Sequence, residues 1–126
     1  MVMARYRGQV VFCRDVAAAA DRYERFLGFR RDDEIDGDIA MRAPVAGGGE
    51  VSVEIYLHPS TQPTPSQLGT FAVDDVDAAV ADLAGGGWHV AEAAADRPWG
   101  VREAALTDPE GHSLTLSAPL ADASAT

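Results

Sequence analysis

Apolar residues recur at helical spacing in two places along the chain. After Asp15, the positions Val16, Ala19, Ala20, Tyr23, Phe26 and Leu27 follow an i, i+3, i+4, i+7 pattern and predict an amphipathic helix. Asp15 suits the N-cap, because its carboxylate can accept the free N–H groups of the first turn. Gly28 suits the C-terminal cap, where a left-handed residue is easiest for glycine. A second helix is predicted after Asp74-Asp75, with Val76, Ala79, Val80 and Leu83 on one face and Gly85-Gly86-Gly87 as its stop.

A short apolar strand candidate precedes each helix: Gln9 to Cys13 before the first, Leu68 to Val73 before the second. Glycine and an aromatic residue follow each helix, as Gly28-Phe29 and Gly87-Trp88. The two halves therefore match at an offset of about 60 residues, an internal repeat that sets the architecture. Ile39 to Arg42 is a short strand, and Ala46 to Gly49 a flexible turn. Val51 to Leu57 alternates, with Val51, Val53, Ile55 and Leu57 on one face and Ser52, Glu54 and Tyr56 on the other. In the second half, Trp88 to Ala91, Arg102 to Leu106 and Ser113 to Ser117 are strands, the last two joined by an Asp108-Pro109-Glu110-Gly111 turn. Each half reads as β-α-β-β-β, an α+β fold of two tandem modules in one domain. Module one spans about 5–58, a linker 59–66 and module two about 67–118. The proline-rich stretch from His58 to Ser66 is stiff and is not expected to join a sheet. The tail from Ala121 is expected to fray.

Composition narrows the function classes. The 126 residues suffice for a core without staples, and a single cysteine, Cys13, excludes an internal disulfide. Cys13 reads as a small buried residue, and one cysteine fits a cytoplasmic location. No run reaches the roughly 18–20 apolar residues of a membrane span, and no signal peptide is evident. The formal net charge is −10. That argues against nucleic acid and suits a cationic ligand. All ten basic residues are arginine, a bias expected of a GC-rich genome.

Four motifs in order, Arg14-Asp15-Val16, Phe26-Leu27-Gly28-Phe29, Val73-Asp74-Asp75-Val76-Asp77 and Asp108-Pro109-Glu110-Gly111-His112, resemble the vicinal oxygen chelate superfamily. That is the family of glyoxalase I, ring-cleaving dioxygenases and the fosfomycin- and bleomycin-resistance proteins. The resemblance covers about Arg7 to Ala118 and implies curved mixed sheets around a groove. In metal-dependent members each module gives one ligand from its first strand and one from its last. Here the corresponding positions are Gly8, Glu54, Leu68 and Thr115, of which only Glu54 is a good ligand. Gln9 would need a one-residue slip that turns it to the other face. His58, His89 and His112 read as surface histidines. The expectation is no metal cofactor. The alternative is a metal-dependent lyase, isomerase or dioxygenase, and a third option is a metal-free enzyme with Glu54 as base.

The stretch Pro98-Trp99-Gly100-Val101-Arg102-Glu103 resembles bleomycin-resistance-type proteins, which hold a drug in the groove of a homodimer. The resemblance thus implies a small-molecule binding protein and a homodimer, with no catalytic residue assigned. Trp99 is the leading ligand contact, because an aromatic on a loop can stack on a flat molecule or attract a cation. Glu54 and Tyr56 line the groove if the ligand positions are rightly placed. Phe12 and Trp88 are candidate walls. Arg102 and Glu103 point to opposite faces of one strand, and Arg102 is taken as the groove residue. No nucleophile–base constellation and no phosphate-binding glycine loop is present.

Overall fold

The two aspartates start the helices as their positions suggest. In the computed structural model, which describes residues 3–4, 6–44 and 53–120, Asp15 Oδ1 accepts the N–H of Ala18 at 3.0 Å. Asp75 Oδ1 accepts that of Ala78 at 3.1 Å. Helix α1 runs Val16–Leu27 and helix α2 runs Val76–Gly85. Gly28 closes α1 in the left-handed region at φ 70°.

The chain divides into two compact units, residues 1–64 and 65–126. The first holds strands β1 (Gly8–Cys13), β2 (Arg30–Ile35), β3 (Asp38–Ala43) and β4 (Val53–Pro59), in the spatial order β1-β4-β3-β2. The second holds β5 (Gln67–Ala72), β6 (His89–Asp96), β7 (Val101–Thr107) and β8 (Ser113–Pro119), in the order β5-β8-β7-β6. In each unit the first strand pairs in parallel with the last, and the other pairings are antiparallel. This is an α+β fold of two β-α-β-β-β modules. The expected turn at Ala46–Gly49, the positions Val51 and Ser52, and the tail from Ala121 lie outside the described residues.

Each helix covers one face of its own sheet. In module one, Val11, Cys13, Ile39, Met41, Ile55 and Leu57 turn toward α1, which contributes Ala19, Ala20 and Tyr23; all are buried. In module two, Ala104, Leu106, Leu114 and Leu116 pack under Val76 and Leu83 of α2. Side chains alternate along a strand, so the residues between these positions lie on the uncovered face.

Strand β2, sequence RRDDEI, has no apolar alternation, and the hydrophobic pattern does not reveal it. Two things hold it. Its ladder to β3 turns through Asp36 (φ 51°) and Gly37 (φ 89°), the two positive-φ positions of a tight hairpin. Arg31 also reaches α1, donating to Glu24 at 2.7 Å and pairing with Asp21. The Asp-Gly pair was the available signal for this hairpin.

Two sequence expectations are corrected. His58 and Pro59 are not linker but the end of β4, with Pro59 opposite Cys13. A proline is tolerated there because β3 begins at Asp38 and offers Pro59 no partner, so the missing N–H breaks no ladder bond. His112 is not a surface histidine; it is 0 % exposed. The Asp108–Gly111 turn folds back on itself, with Asp108 Oδ1 accepting from the N–H of Glu110 at 2.9 Å and of His112 at 3.0 Å. His112 Nδ1 then accepts the N–H of Ser66 at 2.9 Å. The imidazole thereby joins the lead-in of β5 to the β7–β8 turn. Replacing it with alanine leaves a gap and an unmet amide. H112A is expected to lower stability by about 2–3 kcal/mol in urea unfolding.

Candidate functional site

The uncovered face of module one carries a cavity of about 670 Å³, within the usual range for small-molecule sites. Every second residue of β4, Glu54, Tyr56 and His58, faces it, joined by Asp38, Ala40 and Arg42 from β3. Arg7, ahead of β1, and Asp32, Asp33, Ile35 and Asp36 complete the lining. Asp32 reaches this face because the β2–β3 register shifts between Arg31 and Asp33. Five carboxylates thus meet two guanidinium groups, an excess of three negative charges with His58 neutral. Arg42 pairs with Asp32 at 3.2 Å, and Arg7 stands 3.8 Å from Glu54.

Two local pairs stand side by side along β4. The hydroxyl of Tyr56 donates to Glu54 Oε2. That bond is the main reason the phenol pKa is pushed above its ordinary value, with partial burial adding to it and Arg7 opposing. Two residues on, His58 Nδ1 lies 2.7 Å from Asp38 Oδ1. The ring of Phe12 meets that of His58 edge to face, with centroids 5.6 Å apart. Phe12 is 41 % exposed and lies on the uncovered face, opposite His58 in the strand register.

The other sequence candidates lie elsewhere. Trp88 is 4 % exposed and belongs to the core of module two. Trp99 is 66 % exposed on the Arg97–Gly100 turn between β6 and β7. Arg102 is corrected: it lies on the α2 side of its strand, not on the uncovered face. Its Nε and Nη2 donate to the two oxygens of Asp77 at 2.9 Å each, and Nη1 donates to Asp96 at 2.8 Å. These bonds raise the Arg102 pKa and lower that of Asp77. Glu103 takes the uncovered face instead, 3.7 Å from Arg97, which also holds Glu92 at 3.2 Å.

The four positions that the family resemblance marks for metal ligands, Gly8, Glu54, Leu68 and Thr115, carry one carboxylate, one hydroxyl and no imidazole. Gly8 pairs with Glu54, and a Cβ built on it would lie 1.7 Å from the carbonyl oxygen of Glu54. A histidine there would first have to push β1 away from β4. Leu68 is buried and apolar, and Thr115 lies opposite Thr70 with only a hydroxyl. Among the described residues, no group of three or more His, Cys, Asp or Glu is placed to hold a metal ion. No described helix is long and apolar enough to cross a membrane.

The fold has clear relatives. The model of the glyoxalase/bleomycin resistance protein/dioxygenase superfamily matches residues 6–116, and the chain belongs to that superfamily. Similar solved structures include a family enzyme from Burkholderia phytofirmans PsJN, at 17 % identity and a TM-score of 0.75, covering 93 % of this chain and 100 % of that one. A glyoxalase-related enzyme from Clostridium phytofermentans is 20 % identical with a TM-score of 0.67, covering 94 % and 98 %. TioX from Micromonospora sp. ML1 is 24 % identical with a TM-score of 0.65, covering 93 % and 100 %. At these identities the likeness speaks for the fold alone. A search of curated proteins finds no match.

Two outcomes follow from this geometry. G8A is expected to destabilise the protein by about 2 kcal/mol or more in chemical unfolding, because even a methyl group overlaps the β4 backbone. E54Q should bring the ionisation of Tyr56 down toward the ordinary tyrosine value of about 10, followed by ultraviolet titration. The sign follows from the raised folded value: the Tyr56–Glu54 bond contributes stability below the ordinary tyrosine range and loses it as pH rises through the raised pKa.

Proposed function

We propose that the chain binds a small cationic aromatic molecule, antibiotic-like in size, in the module-one cavity and does so without a catalytic metal. The observation that carries this is the cavity itself: drug-sized, open, with three surplus negative charges and the Glu54–Tyr56 pair on its floor. A cation entering it gains a charge-assisted bond to a partly shielded carboxylate, and the overall charge of −10 draws it in. Tyr56, His58 and Phe12 supply flat surfaces for an aromatic body. Trp99 offers a separate stacking surface on module two. Sequestration is the simplest role for such a site, and the same reading expects a homodimer in the cytoplasm.

The test is fluorescence titration with ethidium, a planar cation, beside anilinonaphthalene sulfonate, an aromatic anion. Saturable ethidium binding is expected, weakened about tenfold by E54Q and weakened by added salt. Absence of saturable binding across a panel of aromatic cations, with the protein shown to be folded, overturns the proposal. So does a stoichiometric transition metal in protein purified without chelator.

A further inference from the structure

The same cavity contains a second pair, Asp38 and His58, whose contact goes beyond what a binding surface needs. Asp38 and His58 lie across from each other on neighbouring antiparallel strands, one step beyond the Ile39–Leu57 pairing. The 2.7 Å contact between Asp38 Oδ1 and His58 Nδ1 fixes one ring nitrogen. A neutral imidazole whose Nδ1–H is given to a carboxylate keeps its lone pair on Nε2. The edge-to-face contact with Phe12 limits the ring's rotation. Among the described residues, Asp38 and Phe12 are the only polar or ring partners of His58. The side chain is 47 % exposed and lines the cavity. A carboxylate that orients one nitrogen of a ring lining a cleft, with the other nitrogen given no partner among the described residues, is an arrangement suited to proton transfer and acyl transfer.

We propose that His58, oriented by Asp38, is a catalytic imidazole acting on an ester or similarly activated acyl group of a small aromatic molecule held in this cavity. The proposal rests on the cavity as the binding site of the preceding reading, but not on the charge of the ligand. In the step, the Nε2 lone pair forms a bond to the acyl carbon. The bond from that carbon to the aryl oxygen breaks, and the electron pair leaves with the aryloxide. The positive charge on the ring is met by Asp38 through Nδ1–H. Water then adds to the acyl carbon of this acyl-imidazolium, and the bond from that carbon to Nε2 breaks with its electron pair returning to Nε2. The proton released passes through solvent to the aryloxide or buffer, leaving the carboxylic acid and neutral His58. Asp38 is a positioning residue, acting only through the ring it holds.

The probe is p-nitrophenyl acetate, whose aryloxide is coloured. His89, exposed at the start of β6, is the internal reference for an ordinary surface imidazole, and His112 is buried. H58Q is expected to slow release by about tenfold, and D38N by a comparable factor. D38E should stay within about threefold of the unaltered protein, and H89Q within about twofold. Quenched samples should carry one acetyl group, mapped by peptide mass spectrometry to His58 and not to His89. Equal losses in H58Q and H89Q, or acetyl found equally on both, overturn the proposal. D38N reacting as fast as the unaltered protein overturns the role of Asp38. Ethidium titration of the same variants separates the two readings. Intact binding with no His58-dependent turnover removes the catalytic proposal alone. His58-dependent turnover without cation binding removes the cationic-ligand reading alone.

Discussion

One helix per sheet is the constraint on which the rest of this structure depends. A strand shows its side chains alternately to two faces. With a helix laid over one face only, each residue is committed to core or to open surface by its parity. Along β4 that rule sends Ile55 and Leu57 under α1 and leaves Glu54, Tyr56 and His58 on the far side. Along β7 it sends Ala104 and Leu106 under α2 and leaves Glu103 outside. The cavity-bearing face of module one is therefore the remainder left by core formation.

That explains what the sequence could and could not tell. Elements that bury apolar side chains announce themselves, and both helices and most of the strands are visible in the apolar spacing and its glycine and aspartate punctuation. Strand β2 buries almost nothing, so it leaves no apolar pattern; ladder bonds, a tight turn and the Arg31 ion pairs hold it, and those depend on where β3 and α1 lie. For Arg102, alternation showed that it and Glu103 part ways, but not which faces the helix. Asp77, 25 residues away in sequence, decides that. His112 belongs to the same class. Its burial comes from a contact to Ser66 that no local pattern encodes.

The Gly8–Glu54 contact adds a backbone reason to a side-chain absence. A missing ligand is often one substitution from return. Here β1 and β4 lie at a distance at which position 8 tolerates no Cβ without rearrangement. Glu54, the one good donor among the four family positions, is turned to other partners, accepting from Tyr56 and standing near Arg7. The carboxylate has been taken into a local hydrogen-bonded pair, and that pair now forms part of the cavity floor.

The duplication has also diverged in charge. In module two the uncovered face presents Thr70, Thr107, Thr115 and Ser117, with Glu92 and Glu103 both answered by Arg97. In module one the matching face gathers carboxylates faster than cations, and its histidine and tyrosine each lie within hydrogen-bonding distance of an acidic neighbour. Both modules solve the folding problem in the same way, by capping a helix with aspartate and laying it over alternating apolar residues. Because the uncovered face takes little part in that solution, its residues can vary while the fold is kept. The two copies share a scaffold, and module one's uncovered face is the strongly acidic one.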